Sequence, residues 1–351
     1  MEMFCKSSEK GNLEEAVRGL RDPKLILMMV HDGKFEAHVE ELEKLFPGVP
    51  SIGITGMGYT GRVTENGVII TAFTGNVSAA AGVLETVSAK PARNIGRLIS
   101  DLGKVRPGND NTALIDFCSG NDACVVSTLE GVVKKHHLAH MGATSETGDV
   151  SANGRVYRDS AAYALIKNDN GKVRSYKENI YVPREGVRLL ASKTDKKKYY
   201  IGELNGRPAK QVYMELTDLK GGDIGNQTFS NPLGRINGED ISIVSLKGTE
   251  GNGITCYRQV NDSDILTILE LKDPMEVARQ TIDQIHADFR KVSAIFSVNC
   301  VFRYLLMSER GEFQNYVAGL DGVASSCGVI GYGEHIDAQF ANQTMTCVVF
   351  E

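Results

Sequence analysis

A chain of 351 residues is longer than one hydrophobic core usually organises, so two domains are expected. Its 39 Lys and Arg against 44 Asp and Glu leave a formal net charge of -5, which argues against a non-specific binder of nucleic acid or of an anionic membrane. The 7 cysteines run from Cys5 to Cys347 without a Cys-x-x-Cys pair, the pattern of reduced cytoplasmic thiols rather than of a disulfide framework or zinc knuckle. Apolar runs such as Leu25–Val30 and Val68–Phe73 are strand-sized, far below the ~20 residues of a membrane helix. Met1–Lys10 carries an acid at Glu2 and no apolar core, so no secretory leader is expected and the cytoplasm is the expected compartment.

The first third alternates between helical and strand patterns. Asn12 caps a helix ended by Asp22-Pro23, and Leu25–Val30 reads as a strand buried on both faces. Phe35, Val39, Leu42, Leu45 and Phe46 recur at helical spacing; Pro50–Thr55 and Gly67–Phe73 follow as strands. Ala92–Leu102 is predicted as a helix, Thr112–Phe117 a strand, Ala123–Lys135 a helix and Leu138–Ala143 a strand. From Arg155 to Glu203, short β-like stretches broken by Asp169-Asn-Gly171 and Pro183 predict antiparallel hairpins. Ala209–Leu216 is predicted helical, Leu219–Leu233 loop, and Asp240–Leu246, Gly253–Gln259 and Ile265–Leu271 strands. Asp273-Pro274 opens a strong helix; Ser293–Val298, a helix over Glu312–Leu320 and the strand Thr344–Phe350 complete the chain. The expected class is mixed α/β (α+β), two layered domains of mixed sheets packed with helices, divided into 1–200 and 201–351.

Gly56-Met-Gly58-Tyr-Thr-Gly61 has the spacing of a dinucleotide-binding loop. That chemistry needs a helix next, so that its first amides meet the pyrophosphate. Here Asn66-Gly67 and another strand follow, so the glycines are read as turn residues. Lys134-Lys-His-His-Leu-Ala-His140 clusters three histidines without an acidic or thiol neighbour, and cations suit a helix C-terminus, so no metal site is assigned. No Gly-x-Ser-x-Gly or comparable nucleophile arrangement occurs. The last sixty residues hold the candidate ligand groups: Asn299, Cys300 and Arg303 after a buried strand, Tyr332 and Glu334 after a Gly-rich one, then Asn342 and Thr344. Arg303 suits a carboxylate, Glu334 an ammonium, and amides complete a shell for a small zwitterionic or carboxylate ligand.

Taken in order, these segments resemble the FIST family. The resemblance lies in Gly331-Tyr-Gly-Glu334, Asn342-Gln-Thr344, Phe296-Ser-Val-Asn-Cys300 with Arg303, Ile201–Ala209 with Tyr213, Pro232-Leu-Gly234 and His140–Asp149. Met141 replaces one glycine of the last motif, and Phe340 and Ala341 occupy positions where family members commonly carry a histidine. The resemblance implies a sensory module with FIST-N and FIST-C halves, which binds a small ligand such as an amino acid and acts in signalling rather than turnover. It further implies a separate output partner such as a kinase, cyclase or chemoreceptor. Alternatives are a haem-binding nitric-oxide sensor, with His137 or His140 as axial ligand, and an enzyme using Cys300 or Cys327 as nucleophile.

Overall fold

The computed structural model describes residues 1–221, 223–238 and 240–351. It is a mixed α/β fold with four sheets among the described residues. Helices and strands fall largely where the sequence patterns put them. Asp273 caps the Pro274–Asp288 helix by accepting the amides of Met275 (2.9 Å) and Glu276 (3.2 Å). The glycine-spaced segment at Gly56 forms the antiparallel strands Gly58–Thr60 and Arg62–Thr64, with no helix behind them, so it lacks the geometry that holds a pyrophosphate. Among the elements that escape the patterns are strand Glu2–Ser8, whose exposure alternates poorly, strand Val77–Glu85, and helix Val301–Glu309, which continues directly from a strand without a turn residue.

The chain divides into two compact units that do not follow a single cut near residue 200. The first comprises Met1–Glu178, Ala278–Phe340 and Thr344–Glu351; the second comprises Asn179–Val277 and Ala341–Gln343. The reason is strand pairing. Ala294–Cys300 pairs with Ser325–Gly331 and Thr344–Phe350, and Ser325–Gly331 pairs with the early strand Gly58–Thr60.

Within the first unit, three sheets share one core. Leu27, Ile54, Ile69, Ile115, Phe117, Phe296 and Val348 all belong to it. Each of these sheets contains one parallel pair: Leu25–Val30 with Ser51–Thr55, Thr112–Cys118 with Ala139–Thr144, and Ala294–Cys300 with Ser325–Gly331. The carboxyl ends of several of these strands are stitched together: the amides of Ser145, Glu146 and Tyr332 donate to the carbonyls of Cys118 (2.8 Å), Thr55 (3.0 Å) and Thr144 (3.0 Å). In open α/β sheets this end is where ligands bind. The second unit is antiparallel in all its described pairings, around Leu189, Ile201, Tyr213, Leu233, Ile254 and Ile268. No helix among the described residues is long and apolar enough to cross a membrane.

Candidate functional site

Strand alternation separates residues that are neighbours in sequence. Along Ala294–Cys300, Phe296 and Val298 enter the shared core, while Ser297 and Asn299 face the other way and meet Tyr59. Tyr59 Oη lies 2.6 Å from Ser297 Oγ and accepts from Asn299 Nδ2 at 2.8 Å. The tyrosine ring reaches this position because residue 328 is glycine: a Cβ there would stand 2.3 Å from Tyr59 Oη. Arg303, in the first turn of the following helix, is fully buried, paired with the fully buried Glu178, and stacked 4.9 Å over the Tyr316 ring. Burial opposes the guanidinium charge, but Glu178 outweighs it and holds the Arg303 pKa above its usual value.

This cluster carries an unusual surplus of unmet hydrogen-bonding groups. Arg303 Nε and Nη1, Asn299 Oδ1, Glu178 Oε1 and Tyr316 Oη are all buried without a protein partner. Left without water or another partner, each such group would cost ~1–3 kcal/mol, and five of them surround this one ion pair. Beside it lies a groove of about 450 Å³ lined in part by Glu65, Tyr304, Phe313 and Gln314. Phe313 belongs to both, packing edge-on against Tyr59 and tilted against Tyr316, each at 5.8 Å.

The other expected ligand groups lie elsewhere. Glu334 is buried, and its Oε2 accepts the Thr344 amide (3.1 Å) and hydroxyl (3.0 Å). Burial pushes its carboxyl up to about 8, against the opposing hydrogen bonds from Thr344 and Cys300. That direction works against the ionised carboxylate expected to receive an ammonium. Tyr332 is 44% exposed and donates to Glu146 at 3.0 Å, and the other oxygen of Glu146 pairs with His31 at 3.0 Å. Asn342 belongs to the second unit. There its neighbour Gln343 is the busier residue: it accepts from Tyr181 Oη (2.6 Å) and donates to Ser245 (2.8 Å) and Thr228 (3.2 Å). The alternative nucleophiles Cys300 and Cys327 are 3% and 0% exposed, and Thr71 Oγ1 donates to Cys327 at 2.7 Å.

A second buried polar assembly was not foreseen from the sequence. Asp116, near the end of strand Thr112–Cys118, is fully buried; its Oδ1 receives His140 Nε2 and its Oδ2 receives His335 Nδ1, both at 2.8 Å. His335 Nε2 reaches Asp122 Oδ1 at 3.0 Å, and Thr144 donates to that same oxygen. Burial works against both charges. Even so, His335 and the two imidazole hydrogen bonds hold Asp116 at about 2, and the carboxylates hold His335 well above the usual histidine range. The available signal was Asp116 itself, an acid inside the apolar run Ala113–Phe117.

His140 does not fit an axial haem ligand. It is fully buried, its Nδ1 accepts the Ala338 amide at 2.8 Å, and its Nε2 is committed to Asp116. His137 is exposed at the left-handed C-cap of helix Asp122–His136. The assembly also explains a motif glycine. A Cβ on Gly142 would stand 2.2 Å from Asp116 Oδ1 and 2.8 Å from its carbonyl oxygen. Gly142→Ala is accordingly expected to destabilise the fold by ~1–3 kcal/mol, measured as a lower urea midpoint with unchanged slope.

Two family models match the sequence that builds these sites: FIST N domain over residues 24–207 and FIST C domain over residues 209–337. The chain belongs to the FIST family. FIST domains are sensory, signal-transduction domains, and the matched regions together cover nearly the whole chain. No curated protein matches it. The Arg303 cluster draws on both FIST regions, with Tyr59 and Glu178 from the first and Asn299, Arg303 and Tyr316 from the second. The Asp116 assembly does the same through His335.

Proposed function

We propose that this FIST protein is a sensor of a small zwitterionic ligand, an α-amino acid or related small carboxylate, bound at the Arg303 cluster. The observation that carries this reading is the chemistry of the unmet groups. Arg303 Nε, Arg303 Nη1 and Tyr316 Oη are donors suited to a carboxylate, while Asn299 Oδ1 and Glu178 Oε1 are acceptors suited to an ammonium. The groove at Phe313 is the entry route, opened by rotation of that ring. Ligand favours whichever arrangement it binds better, and that bias is passed to a separate signalling partner. Sensing rather than turnover is supported by the sensory, signal-transduction role of FIST domains.

A thermal-shift screen of amino acids and small carboxylates, followed by calorimetry, tests the reading. A true ligand at a hundred times its Kd adds ~2.7 kcal/mol to the folded state. Tyr316→Phe removes one unmet donor without disturbing the Arg303–Glu178 pair, and should weaken binding by about tenfold, the equivalent of ~1.4 kcal/mol. If no compound of either class raises the midpoint, or if Tyr316→Phe binds as well as the parent chain, the assignment fails.

A further inference from the structure

The Asp116 assembly contains a thiol that a hydrogen-bond network does not require. Cys118 Sγ is fully buried, yet it faces polar groups: Asp122 Oδ1 at 3.7 Å, His335 Nε2 at 3.9 Å and Thr144 Oγ1 at 3.6 Å. Cys256, by contrast, is perturbed by burial alone, as a packing cysteine should be. Cys118 Sγ, His335 Nε2 and Asp122 Oδ1 form a triangle with edges of 3.9, 3.7 and 3.0 Å. Ligands placed tetrahedrally at zinc bond lengths lie roughly 3.3–3.6 Å apart, so shortening the two thiol edges and widening the His335–Asp122 edge, each by a few tenths of an ångström, completes the set. The opposite nitrogen of His335 is bound by Asp116, the outer carboxylate that typically orients a metal-ligating imidazole.

We propose that Cys118, His335 and Asp122 are the ligands of a divalent-cation site of the zinc class, with Asp116 as the positioning residue behind His335. Thiolate, imidazole and carboxylate donors together select a borderline-soft cation over magnesium or calcium. Thr144 Oγ1 borders the remaining corner, and the side chain of Asp122, 18% exposed at the start of helix Asp122–His136, gives access from solvent. On binding, the Cys118 thiol and the Nε2–H of His335 each release a proton to solvent. The thiolate and the Asp122 carboxylate then balance the two charges of the cation, and His335 Nδ1–H stays on Asp116.

The test titrates the full chain, stripped with chelator, with Co²⁺ as a spectroscopic probe. Expected are equimolar saturation, a thiolate-to-cobalt charge-transfer band with intense tetrahedral d–d bands, and displacement of both by Zn²⁺. Cys118→Ser should abolish the charge-transfer band. Asp116→Asn should weaken affinity 10–100-fold while leaving that band in place at saturation. Circular dichroism establishes that each variant is folded. Should Cys118→Ser not fold, Asp122→Asn at the partly exposed ligand decides, with at least a tenfold loss of affinity expected. The proposal is overturned by absence of saturable binding, by a charge-transfer band that survives Cys118→Ser, or by an Asp122→Asn variant that binds cobalt as the parent does.

Discussion

Arg303→Ala is expected to lower the free energy of unfolding by about 3–5 kcal/mol, because it leaves Glu178 charged, buried and unpaired. The substitution therefore removes more than a ligand contact. Any loss of ligand response in that variant mixes binding with folding, which is why Tyr316→Phe is the cleaner probe of the cluster. A double replacement of Arg303 and Glu178 by apolar residues of similar volume should restore most of the lost stability, since no uncompensated charge remains. Urea denaturation of the two variants and the parent measures both effects. A loss below ~1 kcal/mol for Arg303→Ala would mean that Glu178 finds water or another partner, and that the cluster is not closed.

Glu334→Gln is expected to stabilise the protein, increasingly so as pH rises from the ordinary carboxylate value of 4.5 to about 8. The sign follows from proton binding. In that window the unfolded chain has lost the Glu334 proton while the folded protein keeps it. Folded stability therefore falls by ~1.4 kcal/mol per pH unit and levels off above the folded value. Glutamine keeps an acceptor for Thr344 and has nothing to ionise, so the slope due to Glu334 disappears. His335 also loses stability with rising pH, fully effective below its unfolded value of 6.5 and lost as pH climbs through its raised folded one. Asp116 acts in the opposite direction: its contribution is present above 3.8 and is lost as pH falls toward about 2. Both are common to parent and variant, so the difference between their urea midpoints across pH isolates Glu334. Parallel pH profiles would show that Glu334 is ionised in the folded protein.

The two assemblies differ in how visible they were. Asn299 and Arg303 announced themselves as polar residues leaving the end of an apolar strand, and the structure does place both at the cluster with surplus hydrogen-bonding groups. Their partners did not: Glu178 lies 125 residues from Arg303, and Tyr59 lies 240 from Asn299. Glu334 was visible as a residue but not as a charge state. Its hydrogen bonds from Thr344 and Cys300 could have favoured the ion, and the complete burial that outweighs them is a property of the packed core. Tyr332 was grouped with the others by position in the chain, and the structure pairs its exposed hydroxyl with Glu146.

Local chemistry was readable wherever the physical cause is itself local. The apolar run Leu25–Val30 requires a doubly covered strand, Asp273 with Pro274 starts a helix, and the turn at Asn66-Gly67 followed by a strand leaves no helix to hold a pyrophosphate. Those outcomes depend on a few consecutive residues and their backbone preferences. The meeting of Asp116 with His335 across 219 residues has no such local cause. It is fixed by which strands pair and in what register, with Ala143 opposite Glu334 and Gly142 opposite both His335 and Asp116. Sequence by itself thus determined the family, the mixed α/β class and most element positions. Only the tertiary structure decided which buried groups face one another, because register and burial are set by the whole core at once.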